Sequence, residues 1–334
     1  MHRSPKTDTA NVSVPLETGE TLTAKPATRS LMTQPGVLLA LTMVYVFWGT
    51  SYLAIKQAGH DFPPMLLVGL RNLLAGGLML FLAWMLKRPF GTFRQGMNAS
   101  CVGVLMIAVG ASLLAMGIRH VDSGFAAMVF ATVPVAVCLM VAVTGSRIGL
   151  MQWLGTLVGV LGLVLMSNDV DESLQNKGMW LILAAVIATA ASAVMMDRMH
   201  MPSDLIVASG VQMVAGGAVA CIVGWTLSER IQEVSFPAWM AWLYLSLMVS
   251  VLGYVSYTYL LLKTGPVLAS SYAYVNPPVA LLAGAAMLGE SVTSSGLFSM
   301  VLVLLGAMIV LWGTPAQRSK ASSSADQFME KTKT

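Results

Sequence analysis

Residues 123–143 read Ser-Gly-Phe-Ala-Ala-Met-Val-Phe-Ala-Thr-Val-Pro-Val-Ala-Val-Cys-Leu-Met-Val-Ala-Val. No charge interrupts this run, and its apolar residues do not alternate with polar ones. A bilayer-spanning helix needs roughly 20 mostly apolar residues, whereas a membrane strand needs only about half that and alternates. The run therefore predicts a transmembrane helix. Moving outward in both directions, comparable runs recur at 36–56, 63–86, 97–118, 148–168, 178–196, 205–226, 238–262, 267–289 and 293–313. Lys56 and Arg71 are the charged residues inside them, and Pro63-Pro64, Lys87-Arg88-Pro89, Pro202 and Pro237 punctuate the breaks. The expected fold is an all-α polytopic membrane protein with ten transmembrane helices.

Composition agrees. Of 334 residues, 56% are hydrophobic and only 10% charged, against about 25% charged in a soluble domain. Mean hydropathy is +0.75. A soluble globule, a disordered chain and a nucleic-acid-binding protein are all excluded, so the net charge of +4 bears on topology. Cys101, Cys138 and Cys221 fall in apolar runs without close spacing, which predicts buried inert thiols, no disulfide framework and no metal site. Residues 1–35 and 314–334 are polar and rich in Thr, Ser, Pro or Lys, and are expected as disordered cytoplasmic tails; residues 1–35 lack the apolar core of a signal peptide.

Lys and Arg set the orientation. With the N-terminus in the cytoplasm, only Lys56, Arg119, Lys177 and Arg230 fall on the outer side, with Arg71 set aside as intramembrane. An even number of spans puts the C-terminus on the same side, so both termini are expected inside. Trp84, Trp153, Trp180, Trp225, Trp239 and Trp312 lie near span ends, as interfacial anchors do, and Trp242 is slightly deeper. Trp48 sits near the middle of its span.

The chain also repeats itself. A shift of 144 residues lays Pro134-Val135-Ala136 on Pro278-Val279-Ala280, Gly145 on Gly289 and Gly162 on Gly306. A shift of about 141 lays Gly69 on Gly210 and Arg71 on Gln212. The expected organisation is two five-helix repeats, 36–168 and 178–313. An odd number of spans per repeat inverts the second in the membrane, a recurrent plan in carriers, with the site at the repeat interface.

The segment Trp48-Gly-Thr-Ser-Tyr52 with Lys56, the intramembrane Arg71, and Ala269-Ser-Ser-Tyr-Ala-Tyr-Val-Asn-Pro-Pro-Val-Ala-Leu-Leu-Ala-Gly284 closing on Leu288-Gly289-Glu290 together resemble the EamA-type branch of the drug/metabolite transporter superfamily. The resemblance spans roughly residues 36–313. It implies a bacterial inner-membrane exporter of small metabolites, often amino acids or drug-like compounds. One departure stands out: the family pattern also closes its fourth span on Gly-Glu, and Ser146 occupies that place here.

The ninth span carries the most chemistry. Tyr272, Tyr274 and Asn276 precede Pro277-Pro278, which remove backbone donors and kink a helix. Under the 144-residue shift Phe130 falls on Tyr274, Thr132 on Asn276 and Pro134 on Pro278. These six are expected to face a central cavity, with aromatic faces for an apolar or cationic group and Asn276 for a polar one. The alternative is a kink that serves packing alone. Trp48 and Tyr52, one turn apart, either face the same cavity or fill a helix crossing beside Gly49. Arg71 is costly at its depth unless paired or wet; a structural role, bonding helix carbonyls, is preferred over direct substrate contact. Lys56 reads as an interfacial anchor before a guard of the outer mouth. Lys56, Asp122 and Glu290 are the candidates for coupling or gating. The motif Gly155-x-x-x-Gly159 allows close helix approach, within one bundle by preference and at a dimer face as the alternative.

No phosphate-binding loop of Gly-Lys-Ser/Thr type occurs, so ATP-driven pumping is not expected. His2, His60, His120 and His200 all lie outside the spans and no carboxylate is deep. This favours facilitated diffusion or exchange over proton antiport. It also gives an intramembrane enzyme nothing to work with. No cofactor is expected, and the partners are a small-molecule substrate and the lipid bilayer. The competing reading is a non-transporting membrane receptor or scaffold.

Overall fold

A computed structural model describes residues 34–143, 150–169, 177–270, 272–289 and 294–312. All regular structure among them is helical. The helices are α1 (Pro35–Ala58), α2 (Pro64–Met85), α3 (Phe93–Ile118), α4 (Ser123–Val143), α5 (Leu150–Asp169), α6 (Lys177–Arg198), α7 (Leu205–Thr226), α8 (Phe236–Pro266), α9 (Tyr272–Leu288) and α10 (Ser294–Trp312). Seven of them, α1 to α4 and α6 to α8, are long and apolar enough to cross a membrane. The expected tails, apart from residues 34 and 35, lie outside the described residues, as do Ser146 and Glu290.

Local chemistry sets the ends. Pro64 opens α2, where a missing N–H costs nothing. The helix α3 starts ahead of its apolar run because Thr92 and Gln95 form a reciprocal capping box. Two carboxylates cap equivalent helices. Asp204 accepts from the N–H groups of Ile206 and Val207 at 2.9 and 3.1 Å. Glu229 reaches the start of α2 from the far side of the chain and accepts from Leu66 N–H at 2.9 Å.

Three interruptions shape the interior. The helix α4 breaks after Phe130 and resumes at Val133. Pro134 therefore sits in the first turn of the second piece rather than kinking a continuous helix. In α9, Pro277 and Pro278 lie within the helix itself. Near the end of α8, Gly265 adopts φ 81° and ψ 171°, a backbone open to glycine. Two π-helical segments, Val104–Ala111 in α3 and Leu245–Gly253 in α8, begin about 141 positions apart. Such segments are rare, and their irregular hydrogen bonding marks functional positions.

The two halves pack as equivalents. α2 lies on α7 and α5 on α10; α1 contacts α8 and α9 where α6 contacts α3 and α4. Exchanging the halves reproduces this set of neighbours. Glycines bring the equivalent helices together. Gly69 faces Gly217 and Cys221, Gly76 faces Gly210, and Gly224 faces Met65, so α2 and α7 run antiparallel. Gly162 faces Val303, while Gly306 faces Gly155 and Gly159, so α5 and α10 also run antiparallel. A Cβ on Gly306 would overlap the Gly159 backbone nitrogen. The Gly155-x-x-x-Gly159 motif is thus used inside the bundle. Even the turns after α2 and α7 match: Lys87 and Ser228 have φ of 51° and 60°, and each precedes an N–H donating back at 2.9 Å, Arg88 to Ala83 and Glu229 to Gly224.

Trp84, Trp153, Trp180, Trp225 and Trp239 are exposed on the outside of the bundle, as anchors at the lipid boundary would be. Cys138 is buried as expected, but Cys101 is exposed and Cys221 only partly covered. Cys101 lies on the outward face of α3, so an apolar run alone did not locate it.

Candidate functional site

A partly open cavity of about 90 Å³ lies where the two halves meet. From the first half come Trp48, Ser51, Tyr52 and Ile55 of α1, Arg71 and Asn72 of α2, Met106, Ile107 and Ala111 of the π-helical stretch of α3, and Phe130 at the break in α4. From the second come Thr189 of α6, Val249, Ser250 and Tyr254 of α8, and Tyr272 and Asn276 of α9. The α1 residues follow the spacing that puts side chains on one helical face.

Aromatic rings build one wall. The Trp48 ring lies 4.6 Å from that of Tyr272, edge to face, and 4.9 Å from that of Tyr257. Its indole N–H donates to the Val249 carbonyl at 3.3 Å, within the π-helical stretch of α8. Gly253 makes this fit, since a Cβ there would stand 2.6 Å from the indole nitrogen. Tyr52 stands edge-on to Phe130 at 6.3 Å.

The polar wall is less satisfied. Arg71 is only 6% exposed, yet its Nε and Nη1 have no hydrogen-bond partner among the described residues. The same holds for the Tyr272 hydroxyl and the Asn276 Oδ1. Buried polar groups are normally paired; Ser112, Ser209, Gln212, Trp242, Thr258 and Tyr274, away from the cavity lining, also carry buried polar atoms without a partner among the described residues. Asn72 is engaged, donating to the Val68 carbonyl at 2.8 Å. Behind the lining, the Tyr254 hydroxyl donates to Gln212 Oε1 at 2.8 Å.

Of the ten residues singled out for substrate, the cavity gathers Trp48, Tyr52, Arg71, Phe130, Tyr272 and Asn276. Thr132, Pro134, Tyr274 and Pro278 do not line it. Tyr272 and Asn276 are one helical turn apart and share a face, whereas Tyr274 is turned well away from both. Thr132 spends its hydroxyl on the Val129 carbonyl at 2.7 Å, and the break in α4 carries Pro134 off the direction Phe130 points. Arg71 makes no bond to a helix carbonyl through Nε or Nη1 among the described residues. Trp48 is at the cavity, and the crossing beside Gly49 is filled instead by Val279.

At one end of the bundle, Lys56 Nζ stands 3.0 Å from Asp122 Oδ1. Asp122 precedes α4 but makes no side-chain cap. Beside it, Arg119 donates to the Gly59 carbonyl at 2.8 Å. Asp61, in the following turn, accepts from the Ser235 N–H at 2.9 Å and from its hydroxyl. These two bonds hold the Asp61 carboxyl below the usual carboxylate range. Glu290 lies outside the described residues.

The sequence reading missed Asn72, Thr189, Ser250 and Tyr254. A signal existed for Thr189: a shift of 141 lays Trp48 on it, the same shift that lays Arg71 on Gln212. Ser250 lies within the π-helical stretch of α8 and Tyr254 just after it.

The model of the EamA-like transporter family matches this chain twice, over residues 34–168 and 176–312. The chain belongs to the EamA-like transporter family. An inner-membrane transporter of Escherichia coli strain K12, YedA, is 30% identical over 287 residues, covering 85% of this chain and 92% of that protein. Protein PagO of Salmonella typhimurium is 22% identical, covering 84% and 94%. A chloroplastic WAT1-related protein of Arabidopsis thaliana is 27% identical, covering 80% and 67%. A crystal structure of similar fold has a TM-score of 0.64 at 17% identity, covering 82% of this chain and 96% of that one. Membership, the inner-membrane relative and the seven spanning helices make this EamA-like chain a multi-pass inner-membrane protein.

Proposed function

We propose that this EamA-like protein is a carrier that exports small amphipathic metabolites by alternating access through the cavity between its halves. The observation that carries the reading is the cavity's parentage: both halves contribute to it, and each sends a π-helical stretch to its wall. A site shared by two equivalent units is positioned to open to one side or the other as the units rock. The antiparallel pairing of α2 with α7 and of α5 with α10 supports two inverted five-helix repeats; ten crossings with both termini in the cytoplasm rest on the apolar runs and the Lys and Arg distribution. The units are residues 36–168 and 178–313. The working unit is a monomer, since the small-residue motif of α5 is already spent on α10.

The substrate contacts are Trp48, Tyr52, Arg71, Phe130, Tyr272 and Asn276. Aromatic rings take the apolar part and the polar wall orients the rest. The charged group in the lining is a guanidinium, which stays protonated and does not relay a proton. This favours facilitation or exchange over proton antiport. Lys56 and Asp122 latch α1 to the turn before α4 in the state described.

Flux in proteoliposomes of the purified protein, with and without an imposed pH gradient, tests the reading. Amino acids and lipophilic cations form the panel. Efflux that ignores the gradient and is lost in Asn276→Ala is the expected result. Accumulation that follows the gradient would refute the facilitator and move attention to Asp122 and Glu290. Absence of flux across the panel would favour the receptor reading.

A further inference from the structure

We infer that the turn between α2 and α3 binds the headgroup of an anionic phospholipid of the cytoplasmic leaflet. Lys87, Arg88 and Arg94 hold the phosphate, and Phe90 and Phe93 enter the acyl boundary. The inference is independent of the cavity and of transport. It rests on the proposed orientation, which puts this turn at the cytoplasmic face.

Residues 84–94, Trp-Met-Leu-Lys-Arg-Pro-Phe-Gly-Thr-Phe-Arg, are exposed without a break. Phe93 is 85% exposed and Trp84 67%. Large apolar groups left open together mark a surface that something covers, and at the end of a spanning helix lipid is at hand. The turn is nevertheless held in one shape on its other side. Thr92 and Gln95 form the capping box of α3, Gly91 at φ 78° sits against Pro202, and Asn98 donates to the His200 carbonyl at 3.0 Å.

The cations of the turn are poorly matched within the chain. Arg88 stands 3.8 Å from Asp204, whose carboxylate is already engaged in capping α7. Lys87 and Arg94 form no ion pair among the described residues. No carboxylate occurs in residues 84–96.

The other half of the molecule supplies an internal comparison. A shift of 143 lays Phe93 on Phe236, which opens α8 and is also exposed, at 74%. Both helices therefore present an aromatic ring to a membrane boundary, as interfacial anchors do. The charges differ. The turn before α8 carries Glu229, Arg230 and Glu233, two carboxylates against one cation, and Glu229 is spent on the start of α2. The ring belongs to both faces of the membrane and the excess of cations to one, so the cations answer to something present at that face. A basic cluster immediately cytoplasmic of a spanning helix attracts anionic lipid. Arginine offers its planar fork to two phosphate oxygens, and lysine adds a point charge. A soluble acidic partner would meet the cations and leave the rings uncovered.

The test exposes the purified full-length protein in detergent to an equimolar mixture of dioleoyl phosphatidylglycerol and dioleoyl phosphatidylcholine. Bound lipid is counted by native mass spectrometry. The two lipids share chains and phosphate, but the choline cation offsets the phosphate charge. Wild type is expected to retain phosphatidylglycerol over phosphatidylcholine by at least about fivefold, and Lys87→Gln and Arg94→Gln each to reduce that preference by about fivefold. Arg230→Gln, in the equivalent turn of the other half, is expected to leave it unchanged. Inorganic phosphate in large excess over the lipid is expected not to displace it, since a free anion gains nothing from the rings. Equal retention of the two lipids by wild type would overturn the inference without any variant. So would a preference that persists in Lys87→Gln/Arg94→Gln, one lost equally in Arg230→Gln, or displacement by inorganic phosphate. Terminal reporters that read outside the cell, with the lipid preference as expected, would overturn the proposed orientation and leave the lipid site standing.

Discussion

Single residues decide whether the cavity has its shape. Trp48 reaches the Val249 carbonyl because Gly253 leaves room for the indole. Gly253→Ala puts a methyl group where the ring edge stands. The expected outcome is displacement of Trp48, with a loss of about 1–3 kcal/mol of stability from overpacking and reduced flux. Thermal unfolding together with proteoliposome efflux checks both. Asp61 works at the end of the bundle, where its carboxylate ties the turn after α1 to Ser235 at the start of α8. Its pKa is depressed in the folded protein, so its contribution is complete above the ordinary carboxylate value of about 3.9 and is lost as the pH falls through the lower folded value. Wild type and Ser235→Ala should therefore differ in thermal stability at neutral pH and converge in strong acid. A difference that persists unchanged in acid would rule out this clamp.

Among the elements, α2 and α7 are the clearest matched pair. Each starts at a carboxylate-capped end and finishes in a turn with a left-handed non-glycine residue. Capping of this kind contributes about 1 kcal/mol. Asp204→Ala should cost about that much, with a further loss from leaving Arg88, 3.8 Å away, without its partner; Asp204→Asn should recover most of the cap. Thermal unfolding of the two variants separates cap from charge. Most of this was open to reading beforehand. The apolar runs, the prolines at the breaks and the Asp before 205–226 all appear in the sequence. The early start of α3 was not read, since Phe93-Arg94-Gln95-Gly96 breaks the apolar pattern and only the Thr92–Gln95 capping box continues the helix. The π-helical stretches were not read either. Nothing in Val104–Ala111 or Leu245–Gly253 departs from an ordinary apolar helix in composition, and their geometry answers to neighbouring helices.

At the scale of the molecule, the proposed topology has a direct consequence. Reporters fused to the N-terminus and to the C-terminus should both read cytoplasmic, and opposite readings would eliminate an even number of crossings. By itself the sequence determined an all-helical membrane protein with a repeated plan, because hydropathy and span length act through the solvent and need no knowledge of neighbours. It also determined that Trp48, Arg71 and Asn276 were out of place as lipid-facing residues, because burying such groups carries a cost wherever they point. Only the tertiary structure decided where they point. Tyr274 and Pro278 were placed with Asn276 by sequence adjacency, but a helix turns them to another side, and the break in α4 does the same to Pro134. The tertiary structure also brought Thr189, Ser250 and Tyr254 to the cavity from the other half. Contacts between residues so distant in the chain depend on how two units pack, and packing is a property of surfaces assembled from several helices at once.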